Sequence, residues 1–199
     1  MAGFHFDETQ TAIRQIERFG YHSTDVTDIV LTHGDPDHAG GLSDFPNARV
    51  HTSEEELAAI KDGHWRYRPQ QFAHGVHWQQ HPVAQRTWCG LEARSLPLPL
   101  DSEVLLIPLF GHTAGHCGVT IQLGEDWMLH VGDAYYLRVE LTSDDHPVSQ
   151  LAAQRAVDDT RRLKSLEELR RLFRDYSKLI TMIGYHDILE LPQQCLPTA

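Results

Sequence analysis

Between His33 and His38 the chain sets two histidines and two aspartates within six positions, in the run Leu31-Thr32-His33-Gly34-Asp35-Pro36-Asp37-His38-Ala39-Gly40-Gly41. Imidazole and carboxylate are ligands that zinc, iron and manganese accept. Asp35-Pro36-Asp37 is also a turn-forming sequence, and a capped turn would use one carboxylate. Four ligand-type residues are more than a turn needs, so the cluster reads as one part of a metal site.

Three later clusters share its setting. His112 lies in Gly111-His112-Thr113-Ala114-Gly115-His116, after an apolar run that ends at Phe110. Asp133 lies in Gly132-Asp133-Ala134-Tyr135-Tyr136, after residues 127–131, and His186 follows Gly184-Tyr185 after residues 179–183. Sites built at the carboxyl ends of strands are a common solution in layered α/β folds. His112 reads as a ligand. His116 reads as a residue that holds a neighbouring ligand or faces substrate. Asp133 is a candidate bridging carboxylate between two cations, the alternative being a simple cap. His5, His22, His51, His64, His130 and His146 have no such neighbourhood and read as solvated or packing residues.

The elements that must carry these loops are legible from periodicity. Residues 8–19 form an amphipathic helix with Asp7 as N-cap, stopped by Gly20. Strands are expected over 27–32, 48–51, 103–109 and 178–183, with a hairpin of 118–123 and 127–131 around Gly124-Glu125-Asp126. Ser53 and Glu56 form a capping-box pair opening a helix over 54–61. A second clear helix covers 165–176. Residues 138–160 are polar and read as loop followed by helix. Residues 63–90, rich in aromatics and histidine, form a lid or pocket wall, or simply an inserted packing segment. Strands alternating with helices give an α/β class.

The chain has 199 residues, 41% hydrophobic and 23% charged, which suits one domain spanning 1–199. The net charge of -11 disfavours nucleic acid and anionic membrane surfaces as partners and leaves a small-molecule substrate. Cys89, Cys117 and Cys195 are far apart and odd in number, which reads as reduced thiols rather than a disulfide framework. No apolar run has membrane-spanning length, and the first residues lack the basic-then-apolar order of a signal peptide, so a cytoplasmic location is expected. No Gly-x-Ser-x-Gly elbow is present.

The four clusters in this order resemble the metallo-β-lactamase superfamily, whose signature His-x-His-x-Asp-His precedes a distant Gly-His-Thr, then an Asp, then a His. The resemblance runs from residue 27 to 187. It implies a four-layer αββα sandwich with two divalent metal ions at one edge of its sheets. His33 and His112, with the residue at Asp35, would hold one metal; Asp37, His38 and His186 would hold the other; Asp133 would bridge them. Two departures stand out. Asp35 occupies the place of the family's second histidine. A carboxylate there is anionic and harder, so zinc is expected first, with iron or manganese admitted by Asp35. The chain also opens at a helix where relatives carry several strands, so the N-terminal part of the fold is expected to be incomplete. The first sheet would then have an edge open to pairing with a second copy as a homodimer.

The resemblance implies a hydrolase that turns a metal-bound hydroxide on a small ester, lactone or thioester, with Asp37 orienting the nucleophile and Tyr136 holding the substrate carbonyl or leaving alkoxide. Two other readings are an iron-dependent redox enzyme of the same fold, acting on oxygen, nitric oxide or a persulfide, and a non-catalytic remnant. Visible spectra with metal analysis separate the first two. On the sequence alone, Asp35→His is expected to raise zinc retention, measured as zinc per chain after dialysis.

Overall fold

The computed structural model describes residues 7–83 and 86–191. His5 and Cys195 lie outside them. Three strands, β1 (Asp28–Val30), β2 (Arg49–Ser53) and β3 (His77–His81), form an all-parallel sheet in the order β1-β2-β3. A small hairpin of β4 (Thr87–Trp88) and β5 (Leu91–Glu92) leads to the second sheet. That sheet runs β10-β9-β8-β7-β6, formed by β6 (Arg94–Ser95), β7 (Val104–Pro108), β8 (Cys117–Leu123), β9 (Asp126–His130) and β10 (Ile180–Ile183). β10 joins β9 in parallel, and the other pairs are antiparallel.

Period-two alternation in β7 decides how the layers stack. Leu105 and Ile107 face one side, against Leu166, Leu169 and Leu172 of the long helix near the C-terminus. Val104 and Leu106 face the other, where Val30 of β1 packs against them with Leu96 and Cys117. Ile29, Leu31 and Val50 turn away from that interface toward Ala39, Leu42, Phe72 and Trp78. Helical turns, sheet, sheet and helix therefore stack as an αββα sandwich. Leu169 and Leu172 are fully buried, each contributing about 2 kcal/mol of burial.

The described residues hold five α-helices: α1 (Ala12–Arg18), α2 (Pro36–Ala39), α3 (Glu54–Lys61), α4 (Pro147–Arg155) and α5 (Asp159–Tyr176). Two differ from the periodicity. The segment 8–19 divides into a 3-10 turn over Glu8–Gln10, capped by Asp7, and α1, because Thr11 is extended. α1 buries no residue and leaves Phe19 78% exposed, so its apolar stripe is only partly covered. α5 starts six residues before the expected position. Asp158 accepts from the Arg161 N–H and nucleates a polar first turn with no apolar stripe to betray it. The β8–β9 hairpin turns at Gly124, with φ +68 and Leu123 paired to Asp126. Among the described residues no helix is long and apolar enough to cross a membrane, and Cys89 and Cys117 are free thiols.

Among the described residues β1 pairs only with β2, and a polar pin reinforces that junction. Asp28 accepts from Arg49 Nη2 at 2.9 Å and lies 2.8 Å from His51 Nε2; His51 Nδ1 lies 3.0 Å from His81 Nε2 on β3. His51 is thus a buried strap across the three strands, whereas the sequence placed it among bystanders. Burial works against the Asp28 carboxylate, but Arg49, His51 and Thr27 hold it at about 2. With the folded value below the unfolded one, its stabilisation is present above about pH 4 and lost as pH falls toward 2. Asp28→Asn is expected to cost about 1 kcal/mol in urea denaturation at pH 7, and the difference from the parent chain should vanish as the pH falls toward 2.

Candidate metal centre

All four ligand clusters sit at one edge of the sandwich. β7, β9 and β10 run in the same direction, so the loops after them emerge together. The loop after β1 joins them because the Cys117 N–H, at the start of β8, donates to the Thr32 carbonyl at 2.9 Å. The loops also hold one another. Val157 N–H donates to His112 O, and Val131 N–H donates to Ile183 O.

Two sets of donors result. His33, His112 and Asp133, all buried, offer one ligand atom each within 4.8 Å of one another, and so do Asp37, His38 and His186. Asp133 lies between the sets: its Oδ1 is 3.1 Å from His38 Nε2, and its Oδ2 is 3.0 Å from His186 Nε2 and 3.5 Å from His112 Nε2. Asp35 Oδ2 is 3.6 Å from His33 Nε2 and 3.2 Å from His112 Nε2. Ligands at zinc distances in a tetrahedron are roughly 3.4 Å apart, so these spacings fit a small cation. His33 Nε2, His38 Nε2 and Asp133 Oδ1 are buried and make no well-formed hydrogen bond, the last two facing each other at 3.1 Å. Orphaned donors that converge on one point fit a bound cation better than they fit a core.

The charge states suit the same role. Burial lowers His33 to about 4, so its imidazole is neutral, the form that coordinates a metal. Burial opposes the charge on Asp133, yet His186, His38 and His33 hold it well below the usual carboxylate range. Both ring nitrogens of His116 meet backbone atoms. Its Nδ1 lies 3.0 Å from Leu109 O, and its Nε2 accepts the Asp133 N–H at 3.0 Å, so it holds Asp133 from behind. The tight fit there needs Gly132 (φ +56), where a Cβ would stand 2.6 Å from His116 Nε2. Tyr136 turns its ring edge to His112 and His186, with centroids at 5.9 and 4.9 Å. Burial and Asp133 raise its pKa, keeping the hydroxyl protonated. Tyr135, fully buried, instead donates to Glu190.

The model of the metallo-β-lactamase superfamily matches residues 3–175. The chain belongs to that superfamily. It is 44% identical over 141 residues to probable metallo-hydrolases of Mycobacterium bovis and Mycobacterium tuberculosis, covering 67% of this chain and 44% of each relative. The chain thus spans less than half the length of these relatives. Among solved structures it is similar to the B. thuringiensis protein AiiA carrying N-decanoyl-L-homoserine at its active site (TM-score 0.69, 21% identity, 92% of this chain and 64% of that one). It is also similar to a quorum-quenching N-acyl homoserine lactone lactonase (TM-score 0.71, 19% identity, 95% and 69%) and to AidC, a dizinc quorum-quenching lactonase (TM-score 0.60, 19% identity, 88% and 62%).

Against the superfamily pattern, two residues matter that the sequence reading missed. Arg66, in the aromatic stretch, reaches back into the centre: its Nε and Nη2 donate to the two oxygens of Asp35 at 2.6 and 2.7 Å. Asp35 is therefore no bare hard ligand, the role the motif gave it. Burial opposes its charge, while His112, His33 and Arg66 draw it well below the ordinary carboxylate range. The segment 64–72 is a wall of the centre, since Tyr67 donates to Glu56 and Gln71 Nε2 donates to Pro36 O. Tyr185, already part of the fourth cluster, lies at the mouth against the His38 ring at 4.2 Å and donates to the Asp37 carbonyl.

Glu56 is the second missed residue. Ser53 Oγ accepts the Glu56 N–H as a cap should, but the Glu56 side chain leaves the capping box. Its Oε1 accepts from Gly34 N–H at 2.8 Å and Tyr67 O–H at 2.9 Å, and its Oε2 from Thr113 O–H at 2.6 Å and Gly115 N–H at 3.1 Å. Burial raises this carboxyl above the usual carboxylate range, against the pull of the four donors. A glutamine offers one acceptor oxygen and turns an NH2 toward donors. Glu56→Gln is expected to lose about 2–3 kcal/mol in urea denaturation, with fewer metal ions retained per chain after dialysis.

Proposed function

We propose that the chain is a metal-dependent hydrolase of small ester, lactone or thioester substrates. The observation that carries this reading is the convergence of His33 Nε2, His38 Nε2 and Asp133 Oδ1, buried and without a well-formed hydrogen bond, beside a protonated Tyr136. The curated relatives named probable metallo-hydrolases and the lactonase structures support it. Divalent cations, zinc first, held by His33, Asp35, His112 and Asp133 and by Asp37, His38, His186 and Asp133, would supply Lewis acidity and ease the loss of a proton from water.

The chain's own residues do the rest. Asp37 is the carboxylate of the centre most open to solvent, with its side chain 32% exposed, and it accepts the proton of an entering water or aligns that water for attack. The Tyr136 hydroxyl donates to the oxygen on which charge develops. His116 and the buried glutamates keep Asp133 and the loops in place, so no reorganisation accompanies the chemistry. Tyr185, half exposed beside His38, stands at the rim, where apolar parts of a substrate would rest.

The redox alternative relied on Asp35 as a hard, anionic ligand. Its pairing with Arg66 removes that reason, so the hydrolase reading is the one the geometry favours. Metal content measured beside turnover of a panel of lactone, thioester, β-lactam and phosphodiester substrates tests it. Zinc with ester or lactone turnover is expected; stoichiometric iron with oxygen consumption would sink it. Within that assay Tyr136→Phe should lower kcat by about 10²-fold with metal content unchanged, whereas His112→Ala should lose metal and turnover together.

A further inference from the structure

We infer that Arg66 is a resident cation of the His33/His112/Asp133 half of the centre. Paired with it, Asp35 becomes the electrostatic equivalent of the imidazole it replaces, and that half binds its metal more weakly than the Asp37/His38/His186 half. This rests on the metal-centre reading above and says how the two halves differ.

The first effect of Arg66 is on charge. Asp35, Asp37 and Asp133 bring three carboxylates to the centre, where a histidine at position 35 would leave two. The guanidinium of Arg66 cannot lose its proton, and it holds both Asp35 oxygens in a fork. The pair Asp35–Arg66 carries no net charge, as a neutral imidazole carries none. The site is thus restored to the charge that a second histidine would give, and the pull of Asp35 toward harder metals is cancelled.

The second is on lone pairs. Arg66 Nη2 also lies 2.7 Å from His112 Nε2. A guanidinium only donates, so that imidazole nitrogen turns its lone pair to the arginine, and a metal at this half must compete for it. Among the described residues the other half has no cationic rival. The ion pairs of Asp37, His38 and His186 run only to one another and to Asp133.

The third follows from its fixity. Arg66 is 8% exposed and cannot swing freely into water. Its Nη1 donates to the Arg155 carbonyl at the end of α4, and its neighbour Tyr67 is tied to Glu56. A guanidinium held this way a few ångströms from a divalent ion repels it, and in a buried setting that repulsion is screened only weakly.

The test is titration of the metal-free full chain with zinc against a chromophoric competing chelator. The first zinc should bind roughly tenfold or more tightly than the second. Arg66→Met should tighten the second step by roughly tenfold or more and leave the first unchanged, while Arg66→Lys, which keeps the charge, should retain the parent pattern. His38→Ala should abolish the tight step and His33→Ala the weak one. Should Arg66→Met fail to fold around an unpaired Asp35, the double variant Asp35→His/Arg66→Met removes the stranded charge and should bind two zinc ions in matched steps. Asp35→His alone sets an imidazole against the guanidinium, so the gain in zinc retention expected from sequence should appear only with Arg66→Met. Two equal steps in the parent chain, or a second step that Arg66→Met leaves unmoved, would overturn the inference and leave the hydrolase reading intact. No zinc bound by any form would overturn both.

Discussion

Everything at the sheet edge depends on one buried carboxylate with four donors around it. Glu56 has no exposed surface, and its oxygens receive the backbone of the loop after β1, the loop after β7 and the hydroxyl of the wall residue Tyr67. A carboxylate taken out of water must be solvated by something. Here its solvation shell is the loops that carry His33 and His112, so the demand of one charge for partners becomes the force that aligns two strand ends from different sheets. The fit is close: a Cβ on Gly115 would lie 2.0 Å from the Glu56 nitrogen. Two more buried glutamates repeat the device. Glu140 accepts the backbone N–H groups of Tyr136 and Leu137, and Glu190 receives Tyr135 and the Gly184 N–H.

The second organising fact is the balance between Asp35 and Arg66. A buried carboxylate and a buried guanidinium are each costly alone, and pairing makes both tolerable. It also changes what the motif means. The substitution in the signature is compensated 31 positions later by a residue from a segment with no regular structure of its own. The chemistry of the centre is therefore a property of the pair and cannot be assigned to the aspartate by itself.

The sequence made the strand-end clusters legible because each combines an apolar run, a glycine and a ligand-type side chain within a few residues, all of it local. His33, Asp37, His38, His112, Asp133 and His186 came from that signal, and the structure brings them to one edge. Arg66 did not, because an arginine among aromatics looks like any solvated cation until its partner at position 35 is beside it. Glu56 was visible but misread: the capping-box pattern is local, while the donors that claim its side chain come from positions 34, 67, 113 and 115. The early start of α5 was hidden for the opposite reason, since Asp159 to Arg162 add no apolar stripe and only the cap at Asp158 marks it. His51 gave no local signal, as its partners Asp28 and His81 lie on the neighbouring strands.

The three glutamates have a consequence for the thermodynamics of loading the centre. In small zinc-folded domains the ligands are ordered only when the ion arrives, so the measured affinity is reduced by the entropy of that ordering. Here the loops bearing His33, His112, Asp133 and His186 are ordered by carboxylates that belong to the chain itself. Their conformational entropy is lost during folding, and ions can be exchanged at the centre without melting its walls.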